Sequence, residues 1–221
     1  MKILYKFASR SRPQKFFETL ENIRNMAHHD DYTILCSLDV DDPAMKTQEV
    51  LEILKFQRRI RVIWGHSKNK VDAINRNMDT AKDFDILINM SDDMRFIQPG
   101  FDLKIIEHFE KYFLDLDGVI HYPDGNVNQL LMTMSIMGKT YFDRFGYIYH
   151  PSYTSLFCDN EATDVAKILG KYKFINEQLF EHLHPAFRKS EMDEQYKHTE
   201  SFYAIDGAIY KQRQSRNFDL N

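Results

Sequence analysis

The chain has 221 residues, 43% hydrophobic and 28% charged, with a net charge of −4. This is an ordinary globular composition, long enough to bury a sizeable core in one α/β domain or a domain with a small appendage. The acidic balance, with no basic block or basic–aromatic stripe, argues against nucleic acid as a partner, and no apolar run approaches the about 18 residues of a transmembrane segment.

The apolar run Lys2 to Phe7 is too short for a secretory signal. Cys36 and Cys158 lie in separate apolar runs and form no CxxC pair, so they read as two buried free thiols, which suits a reducing, cytoplasmic location. Aromatic residues make up 14% of the chain and should fill the core, with some left as stacking platforms for a base or sugar.

Residues 2–8 read as a first strand. Pro13 opens an amphipathic helix to about Ala27, with Phe16, Leu20 and Ile23 on one face. Residues 33–38 form a second strand. Asp42-Pro43 reads as a cap followed by proline at the first position of a helix carrying Val50, Leu51, Ile53 and Leu54. Residues 61–64 form a third strand, broken by Gly65, and a helix from about Asn69 to Ala81 leads to a fourth strand over 85–90. This alternation predicts an α/β fold with a mostly parallel central sheet flanked by helices. Such sheets bind ligands at the carboxyl ends of their strands. The segments 9–12, 39–42, 65–70 and 91–93 should therefore converge.

The second half is less regular. A helix follows Pro99-Gly100 and runs to about Phe113. A strand over 118–122 ends in the turn Pro123-Asp124-Gly125, and 130–137 reads as another strand, stopped by Gly138. Met132, Met134 and Met137 in that run read as core filler. A short helix over 140–145 ends at Gly146, and a helix over 160–169 ends at Gly170. From about Lys189 the chain is polar and expected to be partly mobile. His28-His29-Asp30-Asp31 lies between a helix and a strand and reads as a loop.

The fourth strand runs straight into Ser91-Asp92-Asp93. Adjacent carboxylates repel unless a cation or solvent compensates, and oxygen ligands suit Mg²⁺ or Mn²⁺. A strand ending in a metal site is what an enzyme working on a nucleotide diphosphate needs. The alternative is a solvated turn, with the two aspartates capping the next element. Arg10 and Arg12 flank the turn after the first strand, where a guanidinium can pair bidentately with phosphate. They could instead be solvated, although positive charge opposes the dipole at a helix N-terminus. Asp159 could cap the helix that follows it. His182 and His184 would share one face of a strand, and Pro185 fixes the backbone beside His184.

Over roughly residues 2–185 the order of these pieces resembles a glycosyltransferase of the GT-A fold, family 2 type. Phe7-Ala8-Ser9-Arg10-Ser11-Arg12-Pro13 matches the family's nucleotide loop, and Asp39 or Asp41 matches the base-contacting Asp after the second strand. Gly65-His66-Ser67-Lys68-Asn69-Lys70 matches a further segment near the nucleotide, and Ser91-Asp92-Asp93 matches the metal motif, with Ser91 in place of its first carboxylate. Cys158-Asp159-Asn160-Glu161 resembles the acidic motif of the general base, and Glu181-His182-Leu183-His184-Pro185 the late His segment.

The resemblance implies a catalytic domain over 1–188, with a nucleotide-binding half (1–98), an acceptor-side half (99–188), and a tail over 189–221. It implies nucleotide contacts from Ser9, Arg10, Arg12, Asp39, Asp41, Asn69, Lys70, Ser91 and Asp92. Asp42, the expected cap before Pro43, leaves Asp39 or Asp41 to read a uracil N–H. Asp93 would hold Mn²⁺ or Mg²⁺ with His184 or His182, His184 being preferred. Asp159 would be the general base, with Glu161 second. Asp206, Lys211 and Arg213 could fold over bound diphosphate as a lid. The expected activity is metal-dependent, inverting sugar transfer from a UDP-sugar to a carbohydrate or other hydroxyl acceptor. The rivals are a nucleotidyltransferase making a nucleotide sugar and a non-catalytic nucleotide-sugar binder.

Overall fold

A computed structural model describes residues 1–220. Its first half is β1 (Ile3–Ala8), α1 (Pro13–Met26), β2 (Tyr32–Asp39), α2 (Gln48–Lys55), β3 (Ile60–Gly65), α3 (Lys70–Asn75) and β4 (Ile86–Met90). There follow β5 (Met94–Phe96), α4 (Phe101–Tyr112), β6 (Val119–His121), β7 (Ile136–Gly138), α5 (Lys139–Phe145), α6 (Cys158–Ile168), β8 (Tyr172–Phe174), β9 (Phe180–His182), α7 (Glu194–Glu200) and α8 (Tyr203–Ser215). No helix among the described residues is long and apolar enough to cross a membrane.

Seven strands form one sheet in the order β3-β2-β1-β4-β7-β6-β8, and β5 pairs with β9 in a small second sheet. The pairs β1–β2, β2–β3, β1–β4 and β6–β8 are parallel; β7 runs antiparallel to β4 and β6. Side chains alternate across β1. Ile3, Tyr5 and Phe7 join one core cluster with Phe16, Leu20 and Ile23 of α1, while Leu4 joins the other with Val71 and Ile74 of α3. Phe7 stacks on Phe16 at 4.9 Å between ring centroids. Truncating a buried phenylalanine of this kind costs about 3–5 kcal/mol. Both β2 and β3 lie on one side of β1, and β4 lies on the other. In sheets of this kind, ligands bind where that order reverses, beyond the carboxyl ends of β1 and β4.

Four sequence expectations are corrected. Asp42 does not start a helix: its Oδ1 accepts the N–H of Ala44 and Met45 in a turn, and α2 starts at Gln48 behind a Thr47 cap. The helix expected to reach Ala81 stops at Asn75, because Asn77 takes φ 69° and the Asn75 side chain serves the N–H groups of Ile148 and Tyr149. Of 130–137 only the end is a strand. Asp124 Oδ1 gathers the N–H groups of Asn126, Val127 and Asn128 and winds the preceding chain into a loop. The polar tail is not loose: α7 and α8 fold, with Tyr196, Asp206 and Arg213 buried. Asn221, its last residue, lies outside the described residues. The His28–Asp31 segment is a loop, held by N–H bonds from His28 and His29 to the buried Asp102 carboxylate.

One buried charge carries a consequence for stability. Lys6 is fully enclosed in β1 and donates to Ser37 Oγ (2.7 Å) and to the Ala73 carbonyl (3.1 Å). Burial pushes its ammonium down to about 7 from 10.5. Between those values the unfolded chain binds the extra proton, so stability rises with pH across that window; below about 7 the penalty of burying the charge is complete. The unfolding free energy of the wild type, measured by denaturant titration, should gain on that of Lys6→Met as pH rises from 7 to 10. A pH-independent difference would contradict this.

Candidate active site

The two aspartates after β4 turn to different partners. Asp92 accepts from Ser9 Oγ (2.7 Å) and from Arg12 Nη1 (2.9 Å). Burial raises its carboxyl pKa against the opposing charge of Arg12. Asp93 Oδ2 accepts from the Tyr196 hydroxyl (2.8 Å) and from His182 Nε2 (3.3 Å). Burial works to raise Asp93 as well, but the His182 hydrogen bond and charge, the Ser91 hydroxyl and the Lys70 charge outweigh it and hold it well below the usual carboxylate range. His182 stands between two carboxylates, with Nδ1 3.8 Å from Asp124 Oδ2. Burial would favour its neutral form, yet Asp124 and Asp93 lift it to about 9. At neutral pH an imidazolium therefore bridges two carboxylates.

Asp93 Oδ1 is buried and has no hydrogen-bond partner among the described residues. An orphaned carboxylate oxygen beside an imidazole fits a divalent ion with oxygen and nitrogen ligands. Among the described residues no three His, Cys, Asp or Glu side chains form a ready-made metal cage. The two histidines of the late segment are placed differently. The His184 ring lies 5.2 Å from that of His182, but its Nδ1 accepts the Ala186 N–H in a cap, and His182 is the one against Asp93. Burial, then the charge of His182, lowers the His184 pKa.

Asp39 at the end of β2 accepts from Arg10 (2.9 Å) and Ser67 (2.6 Å), with Arg76 Nη2 at 3.5 Å. Arg10 also grips Asp41 with two bonds, at 2.9 and 3.2 Å. Asn69 caps α3 by accepting the Asp72 N–H (2.8 Å), which commits its carbonyl oxygen. The next residue, Lys70, is exposed. Its charge lowers the pKa values of Asp93, Cys158, Asp159 and His184.

Asp159 is not the cap of α6. Phe157 occupies that position, and Asp159 lies in the first turn, where its Oδ1 accepts the Asn160 N–H (3.0 Å). Burial raises its pKa while Lys70 and, more weakly, His182 oppose the rise. A carboxylate raised by its surroundings and placed beside cations has the properties of a general base. Glu161 does not. It is buried, paired with Arg213 through bonds of 2.7 and 2.8 Å, and accepts from the Tyr153 hydroxyl (2.6 Å).

The expected lid is also corrected. Arg213 is spent on Glu161, and Asp206 is buried against the backbone of 154–156; only Lys211 of the three is exposed. The tail residues that do reach the crevice are Asp193 and Tyr196, which the sequence reading missed. Asp193 grips Arg12 with bonds of 2.6 and 2.8 Å, and the Arg12 guanidinium lies 4.2 Å from the Tyr196 ring centroid. The available signal was the Asp193 cap, which accepts the Tyr196 N–H and starts α7. Asp124 was legible only as a turn residue.

No protein-family profile matches the sequence, and no curated protein matches it. Solved structures do. The chain aligns with S. aureus TarS at a TM-score of 0.65 and 12% identity, over 82% of this chain and 36% of that one. Against TarS 1–349 in complex with UDP the TM-score is 0.64 at 10% identity, over 100% of this chain and 73% of that one. The mannosyltransferase PcManGT from Pyrobaculum calidifontis, in complex with GDP-Man and Mn²⁺, aligns at 0.61 and 10% identity, over 91% of this chain and 69% of that one. The chain thus spans little more than a third of the first of these structures. The likeness shows the fold: the α/β architecture with a mostly parallel seven-stranded sheet is that of its glycosyltransferase neighbours.

Proposed function

We propose that this crevice binds a nucleotide-diphosphate sugar, taken as a UDP-sugar, and transfers the sugar with inversion to an acceptor hydroxyl, with Mn²⁺ or Mg²⁺ as cofactor, in the manner of a family 2 GT-A transferase. One observation carries the reading: the free, buried Oδ1 of Asp93 lies in one electrostatic neighbourhood with Lys70, His182 and the raised carboxylate of Asp159. Asp93 and His182 would hold the ion, which when bound supplies charge stabilisation to the leaving diphosphate. Arg12 and Lys70 are offered to the phosphates, Ser9, Ser91 and Asp92 to the ribose, and Asp39, Asp41, Arg10 and Asn69 to the base. Asp159 takes the proton of the acceptor hydroxyl. The mannosyltransferase solved with GDP-Man and Mn²⁺, and TarS 1–349 solved with UDP-GlcNAc, support the donor class. We place the enzyme in the cytoplasm and leave the acceptor at the level of a hydroxyl compound.

A second reading, a non-catalytic nucleotide-sugar binder, draws on one observation. Arg12 and Asp93 are already engaged by Asp193 and Tyr196 of the same chain. In the transferase reading those contacts give way to the donor phosphates and the ion.

Release of UDP from UDP-sugars in the presence of Mn²⁺ tests the choice. Asp159→Asn should lower turnover by about 10²–10⁴-fold, the range of a general base, while UDP affinity stays within about twofold. Full turnover in that variant would remove Asp159 as the base. Metal binding must also displace the His182 proton. The Mn²⁺-dependent part of UDP affinity should therefore rise with pH between 6.5 and 9, by at most about tenfold per unit, and lose this slope in His182→Gln. An affinity that falls with pH over that range would contradict His182 as a ligand.

A further inference from the structure

The segment that delivers Asp159 is held by the C-terminal helix. Three consecutive backbone N–H groups, of Thr154, Ser155 and Leu156, converge on the Asp206 carboxylate at 2.9, 2.8 and 2.8 Å. Asp206 is fully buried, so these bonds form away from competing water. The next residue, Phe157, has φ 60°, a left-handed conformation that a bulky side chain rarely adopts. Its ring packs against Tyr203 (5.1 Å between centroids) and Tyr210 (5.8 Å) of α8. Gly207 lets α8 come this close: a Cβ there would sit 3.3 Å from the Phe157 ring. On the far side of Asp159, Arg213 of the same helix locks Glu161. One helix therefore fixes the chain before and after Asp159 without touching its carboxylate. Strain of this kind persists where surrounding contacts over-determine it, and it concentrates at functional sites.

We propose that Asp206 is a positioning residue: through the backbone of 154–156 it holds Phe157 in the left-handed conformation and so aims the Asp159 carboxylate at the acceptor hydroxyl. The inference rests on the proposed transferase reading. It assigns to α8 a role in turnover: Ser9, Arg12, Asp93 and His182 lie on other segments, and a bond from the Val71 N–H, next to Lys70, to the Thr154 carbonyl (3.3 Å) links 154–156 to the start of α3.

The test compares wild type, Asp206→Asn and Phe157→Gly. Asparagine keeps the volume of Asp206 but has one acceptor oxygen for three donors and no charge. Glycine at 157 leaves the bonds to Asp206 intact and removes the ring that α8 grips. Asp206→Asn should lose at least about tenfold in kcat for UDP-sugar turnover with Mn²⁺, while KM for the donor and the calorimetric Kd for UDP stay within about twofold; Phe157→Gly, which keeps the Asp206 bonds and takes the left-handed conformation without strain, should keep kcat within about threefold. Amide hydrogen exchange at residues 154–156 should accelerate in Asp206→Asn. Unchanged exchange there, or faster exchange with unchanged kcat, overturns the proposal alone. A parallel loss of kcat and UDP affinity also overturns it, as a general structural role would give that result. If wild type turns over no UDP-sugar while these amides behave as expected, the transferase reading falls and the positioning role falls with it.

Discussion

Two carboxylates placed side by side at the end of a buried strand repel, and the rest of the site follows from how the fold resolves that repulsion. Two unit charges about 4 Å apart near a protein surface interact by about 4 kcal/mol, a large fraction of a domain's net stability. The structure sends Asp92 toward Ser9 and Arg12 at the end of β1, and Asp93 toward His182 at the end of β9. The first choice is available because β1 and β4 are parallel neighbours, in register from Ile3–Ile86 to Phe7–Met90, so their following loops meet. The second is available because β5, immediately after the acidic pair, is stitched to β9 with Met94 opposite His182. The short second sheet thus brings a histidine from the end of the domain to a carboxylate from its middle.

The charged groups at the carboxyl ends of these strands largely pair with one another, with a few exceptions. Arg10 is shared between Asp39 and Asp41, Arg12 between Asp92 and Asp193, and His182 between Asp93 and Asp124. Among the exceptions are the orphaned Asp93 Oδ1, the buried Arg76 Nε and Nη1, and the exposed Lys70. In the proposed function, a dianionic diphosphate with a divalent ion would bring the charges these groups lack. Binding would then be an exchange of partners rather than the filling of a void, with Asp193 and Tyr196 as the contacts most readily given up, because they come from a separate segment after the small sheet.

The parallel half of the fold was legible because its strands are five to eight residues long, apolar, and separated by clear helix signals such as Pro13. The strands β5, β8 and β9 have three residues each, too few for any period to register, so the second sheet and its Asp93–His182 contact could not be read from pattern. At the site, residue types were readable but their commitments were not. Glu161 and Asp159 look alike in sequence; one is sealed against Arg213 and the other faces Lys70, a difference set by helical phase and a partner 52 residues away. The tail misled for a related reason. Its polar composition hides a few buried residues, Tyr196, Asp206 and Arg213, each with a partner far back in the chain: Asp93, the backbone of 154–156 and Glu161.

The central claim is that Asp93 and a divalent ion together form the diphosphate site of a nucleotide-sugar transferase. Calorimetric titration of UDP, with GDP as control, into wild type and Asp93→Asn, each with Mn²⁺ and with EDTA, tests it most directly. The account predicts UDP binding that requires both Mn²⁺ and Asp93. Equal binding with EDTA, or undiminished Mn²⁺-dependent binding in Asp93→Asn, would contradict it, and absence of binding by either nucleotide would leave only the fold.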